Sequence, residues 1–176
     1  DGDMQFFIDI TEDGAPVHSI AILDSHARRF GAIGSYDAIR ENQIQWLLDG
    51  MEERKVKTSV FFHMPTPAFD RACEDGEAYE GFPYNMPYHP SEENRGNKLF
   101  DDMTSGNEYL SLVSAGHMHS DNCCFLYRGR YYQLSSASGY GAVRQEGIAP
   151  SCTLLTIDTA QTETERIYTF EKRAAG

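Results

Sequence analysis

Two histidines two residues apart, in Gly116-His117-Met118-His119, directly follow the apolar run Leu110 to Ala115 (LSLVSA). On an extended segment, side chains at i and i+2 project to the same side. A preceding glycine lets the backbone turn sharply. Imidazoles so placed reach one metal ion, or two ions a few ångströms apart. A third histidine, His63, ends the run Lys57 to His63 (KTSVFFH) and is followed by Met64-Pro65. Proline stops a strand, which puts His63 at a sheet rim, where α/β proteins build sites. His63, His117 and His119 are therefore the candidate metal ligands. Asp121 and Asn122 either orient an imidazole from behind or cap the turn. Ser138-Gly139-Tyr140-Gly141 either shapes the site or makes a tight turn between strands. His89 sits in a Pro-rich loop, as a substrate contact or as plain surface. Asp24 and His26 read as structural, and His18, alternating with apolar residues, is expected to be half-exposed.

The elements that must hold these residues follow from periodicity. Met4 to Ile10 reads as a strand, Asp13-Gly14 as a hairpin turn, and Val17 to Leu23 as the partner strand. Arg40 to Arg54 carries Ile44, Leu47, Leu48 and Met51 at helical spacing, with Glu41, Gln45, Asp49, Glu52 and Glu53 opposite. Strand, helix and strand in that order predict a βαβ unit. Met64 to Asn97 reads as a long irregular segment. Its Tyr79, Phe82, Tyr84 and Tyr88 form either a lid over the site or their own packing. Asn97 to Thr104 is a short helix. Cys123 to Arg128 pairs with Tyr131 to Ser135 around Gly129, and Thr153 to Asp158 pairs with Arg166 to Glu171. The expected class is α/β in one domain, residues 1–176, a mixed sheet with flanking helices.

Composition narrows the function. At 40% apolar and 12% aromatic residues, 176 residues can bury a core. The net charge of −12 repels phosphate backbones and argues against a nucleic-acid binder. An acidic protein that handles phosphate esters needs bound cations beside the substrate. No run of 18 apolar residues exists, so no membrane span is expected. The four cysteines form no C-x-x-C pair and read as free thiols, with adjacent Cys123 and Cys124 on opposite strand faces. No N-x-[ST] sequon occurs, which favours the cytoplasm over a glycosylated exterior.

"FFHMP", followed about fifty residues later by "SAGHMHSDN", resembles the last two motifs of the calcineurin-like metallophosphoesterases. "ILDSH", "YDAIRENQIQWL", "VFFHMP", "GHMHSDN" and "SGYG" follow the order of the purple-acid-phosphatase-like branch. The resemblance covers roughly residues 17 to 172 and implies the C-terminal half of a four-layer αββα sandwich. It implies hydrolysis of phosphate esters at a dinuclear centre of Fe, Mn or Zn. His63 and His117 would hold the second ion and His119 the first, with water activated between them. Asp24-Ser25-His26 has the letters of the family's upstream D-x-H, but in this resemblance it aligns after that motif, and the G-D-x-x-D and G-N-H-[DE] strings do not occur in this sequence. The implied partner is therefore an N-terminal half, in the same parent chain or in trans. The alternatives are a catalytically incomplete binding or structural module, and a mononuclear hydrolase using the same three histidines. A half-domain exposes an apolar face where the missing sheet belongs, and a self-sufficient module does not.

Overall fold

The computed structural model describes residues 4–26, 36–85, 98–160 and 168–174. Strands β1 (Phe6–Glu12) and β2 (Ala15–Ile22) form an antiparallel hairpin. Its tip, Asp13-Gly14, has φ of 50° and 82°, the backbone a two-residue hairpin turn demands. Helix α1 (Glu41–Arg54) leads into β3 (Thr58–Phe61), which lies parallel to β2. α1 buries Ile44, Leu47 and Met51, while its acidic residues stay exposed, as the spacing predicts. Gln43 fastens the start of α1. Its Oε1 accepts the Arg40 N–H at 2.9 Å, and its Nε2 donates to the Asp24 carbonyl at 2.9 Å.

The stretch after His63 is more ordered than its composition suggests. It contains helix α2 (Ala68–Asp75) and the two-residue strand β4 (Glu77–Ala78). Two helical turns give too short a pattern to register as periodic. Tertiary contacts supply the stabilisation that length does not. The carboxylate of Asp101, in helix α3 (Leu99–Met103), accepts the Ala68 N–H at 2.8 Å and the Thr66 hydroxyl at 2.5 Å. Tyr79 and Phe82 are buried, so they serve packing, whereas Tyr84 is exposed. Tyr88 and His89 lie outside the described residues.

β5 (Leu110–Ala115) is buried at every position. β6 (Cys123–Tyr127) and β7 (Arg130–Leu134) form the hairpin expected around Gly129. β8 (Ser151–Ile157) and β9 (Tyr168–Ala174) pair separately. Seven strands make one mixed sheet in the order β1-β2-β3-β5-β7-β6-β4, with β2, β3, β5 and β7 mutually parallel. Strand alternation sorts its faces. Val113, Cys123 and Tyr132 pack with the helices, while Leu112, Cys124 and Tyr131 pack with β8 and β9. The adjacent cysteines thus point to opposite faces, and none of the four cysteines forms a disulfide. The described layers are helices, a seven-stranded sheet and a two-stranded sheet, a mixed α/β architecture. No helix among the described residues is long and apolar enough to cross a membrane.

His18 departs from its expected half-exposure. It is 1% exposed, sandwiched between the sheets. Its Nε2 bonds the Ser59 hydroxyl at 2.9 Å, and its ring meets Tyr168 edge-on with centroids 5.8 Å apart. Hydrophobic alternation marked the correct face, but only the second sheet covers it. Burial pushes the His18 pKa from 6.5 down to about 4. Between those values the unfolded chain binds the proton and the folded chain does not, so stability falls as pH drops from 6.5 to about 4. The gap is worth about 3 kcal/mol when complete. Urea unfolding at pH 7.5 and pH 4.5 should show most of this loss in the wild type. His18→Gln should remove that share of the pH slope. The same slope in both proteins would contradict the assignment.

Candidate metal centre

β3 and β5 are adjacent and parallel, so their C-terminal ends emerge side by side. The pairing continues past the strands, with the Gly116 N–H donating to the His63 carbonyl at 3.1 Å. That bond sets His63 beside the Gly-His-Met-His segment. The Ser25 hydroxyl accepts the N–H groups of both His63, at 3.3 Å, and Met64, at 3.2 Å, pinning the strand end. Nothing in the sequence distinguished Ser25 from its neighbours. Asp24 and His26 bond each other and the start of α1. The Asp24 carboxylate accepts the His26 N–H at 2.8 Å, and His26 Nε2 donates to Gln43 Oε1 at 2.9 Å.

The Gly-His-Met-His segment is not extended, and this corrects the expectation that both imidazoles project to one side. The Met118 N–H donates to the Gly116 carbonyl at 2.7 Å, closing a γ-turn on His117, whose φ is 65°. A non-glycine residue held there costs about 1–3 kcal/mol. Gly116 does not itself adopt a left-handed backbone. Its role is close approach, because a Cβ there would stand 3.4 Å from His63 Nδ1.

The turn aims His117 at His63. Nδ1 of His117 lies 3.3 Å from Nε2 of His63, with ring centroids 5.2 Å apart. The Tyr36 ring packs edge-on against His117 from the other side, centroids 4.7 Å apart, a contact with no sequence signal. Two imidazole nitrogens bound tetrahedrally to one ion at 2.0–2.1 Å would be about 3.4 Å apart. The pair is hydrogen-bonded as it stands, and its spacing is also close to that of two ligands on one ion. Burial, and then the neighbouring imidazoles of His63 and His119, lower the His117 pKa to about 4; burial, and then His119, lower that of His63. Neutral imidazoles are the form that binds metal.

His119 turns elsewhere. Its Nδ1–H donates to the Val143 carbonyl at 2.8 Å. That bond fixes the tautomer with Nε2 free, the arrangement common to metal-bound histidines. The loop carrying Tyr140 therefore supports His119, though Tyr140 itself is 70% exposed. The Ala137 N–H donates to the His119 carbonyl at 3.0 Å, and the Gln145 N–H to the Ser120 hydroxyl at 2.7 Å, tightening the clamp. Asn122 serves neither imidazole. Its Nδ2 donates to the Pro83 carbonyl at 2.6 Å, and its backbone pairs with Asn85. Asp121 is buried and closes the turn through its N–H to the Met118 carbonyl at 2.9 Å.

Two of the three histidines meet at this end of the sheet, and the third stands apart from them. Among the described residues, no three of His, Cys, Asp and Glu are grouped closely enough to hold an ion together. A cleft of about 490 Å³ opens beside the pair, lined by Ile22, Phe61, His63, Ser114, Gly116 and Leu155. No family model matches this chain, and no curated protein or solved structure matches it.

Proposed function

We propose that this chain supplies His63, His117 and His119 to a dinuclear metal centre that hydrolyses phosphate esters. The carboxylate ligands would come from a segment outside these residues or from a second chain. The observation that carries the reading is the 3.3 Å approach of His63 and His117 at the ends of adjacent parallel strands. Bound Fe, Mn or Zn ions would supply Lewis acidity toward a phosphoryl oxygen and activate water at neutral pH. His63 and His117 face each other across a hydrogen bond that an ion would have to replace, and His119 keeps Nε2 available. Ser25 and the γ-turn fix the backbone from which the pair projects.

An uncovered apolar face supports the half-domain reading. Phe6 and Ile8 of β1 are 45% and 50% exposed. Opposite them, in register, stand Ile22 and Ile20 of β2. This is the face on which β8 and β9 pack, since His18 shares it. Among the described residues, β8 pairs only with β9, leaving its other edge open. A further strand layer over Phe6, Ile8, Ile20 and Ile22 would complete a four-layer sandwich and reach the histidines.

Metal content by mass spectrometry, after incubation with Mn, Fe or Zn and desalting, tests the proposal. The expected result is at most one loosely held ion per chain and no hydrolysis of p-nitrophenyl phosphate. Two tightly held ions would mean that the site is complete within this chain. No binding even before desalting would remove the histidines as ligands.

A further inference from the structure

A second cavity lies at the opposite end of the sheet. It measures about 320 Å³ and sits between α2, α3 and the β6–β7 turn. Arg130, at its wall, begins β7, while the histidine segment adjoins the far end of that strand at Leu134. Four residue steps along the strand separate the two ends by about 13 Å. Three arginines line it: Arg71, Arg128 and Arg130. In a chain of net charge −12 such a concentration needs a reason. Arg40, Arg54 and Arg173 each pair with a carboxylate. Among the described residues these three make no ion pair within about 4 Å, although the charge of Arg71 is felt at the Asp101 carboxylate, which shares the cavity wall.

The carboxylates at the cavity are already engaged. Asp101 accepts from the Thr66 hydroxyl and the Ala68 N–H. Asp102 holds the Lys98 ammonium at 2.5 Å. Arg130 is only 6% exposed, and its guanidinium is held by the Thr104 carbonyl at 2.9 Å and the Asn107 carbonyl at 3.5 Å. Carbonyl dipoles orient that cation without neutralising it, and arginine is rarely buried without an anion. Arg128, on a turn residue with φ of 51°, lies over the Tyr127 ring at 5.1 Å. Ser105 adds a hydroxyl to the lining.

We propose that this cavity is a binding site for a small oxyanion, carboxylate or phosphate in type. The guanidinium fork matches paired oxygens on either group. A buried, fixed cation and two adjustable ones can enclose such an anion without ordering a loop. The site is independent of the histidine pair.

Titration calorimetry on the metal-free full chain, with inorganic phosphate, sulfate and citrate as probes, tests this. One saturable site per chain is expected, with Kd below about 1 mM. Arg71→Gln and Arg128→Gln should each weaken it at least tenfold, while Lys55→Gln leaves it unchanged. Binding of phosphate and sulfate alone would assign a phosphoryl-type ligand, and binding of citrate alone a carboxylate. No saturable binding, or equal affinity in the arginine variants and wild type, would overturn the proposal. If a variant fails to fold, arginine Nε–H resonances of the wild type give the answer. Those of Arg71, Arg128 and Arg130 must move on adding the anion, and if they stay still the site does not exist.

Discussion

Replacing His117 with glycine should lower the chain's affinity for Zn or Mn by about 100-fold or more, without destabilising the fold. Losing a group that merely orients a metal ligand already costs 10–100-fold, so losing the ligand itself costs at least as much. Glycine is the informative replacement because His117 has φ of 65°. Glycine accepts that backbone without strain, so the melting temperature should hold or rise. Alanine would keep the strain and confuse lost binding with lost stability. Competition with a chromophoric chelator measures the affinity, and thermal melts measure the fold. His63→Ala should match the loss in affinity, since the two nitrogens face each other at 3.3 Å. His119→Ala should matter less in the isolated chain, because its ring is tied to Val143 and stands outside the pair. Equal metal affinity in His117→Gly and wild type would exclude the pair as ligands. A lower melting temperature would show that the γ-turn serves the fold and not the site.

Tyr168→Ala should cost about 4–5 kcal/mol in urea unfolding, the largest stability change expected from one substitution. Tyr168 is 2% exposed and fastens the two-stranded sheet to the seven-stranded one. Its ring meets His18, Tyr131 and Phe170 at centroid distances of 5.8, 5.8 and 6.0 Å. Its hydroxyl bonds Ser59 at 3.1 Å and also bonds Ser111. Truncation leaves a cavity and strands the polar partners. A typical domain is only 5–15 kcal/mol stable, so the variant should lie near its unfolding limit. Tyr168→Phe keeps the ring and should cost about 1–2 kcal/mol. A loss below about 1 kcal/mol for the alanine variant would mean that β9 does not anchor to the sheet at all.

Much of the architecture was legible. Residues 41–54 show their helix because a three-residue-plus apolar repeat runs for almost four turns. Asp13-Gly14 shows its turn because two positive φ values in succession favour that pair. α2 escaped because it is two turns long and is capped by Asp101, from 33 residues later. The site divided in the same way. His63, His117 and His119 were visible as strand-end histidines, and the structure brings the first two together. Ser25, Tyr36 and the Val143 carbonyl act on them through the fold and carry no local signal.

Residue types and spacing determined the strands, the main helix, the histidines and the ends of the sheet at which they stand. These depend on contacts within one element, which a chain encodes locally. Tertiary structure decided which imidazoles meet, because a γ-turn at His117, closed by a single backbone bond, rotates His119 away from the pair. It also decided that His18 is buried. That depends on a second sheet whose Tyr168 lies 150 residues further along the chain, and no local pattern records what will cover a face.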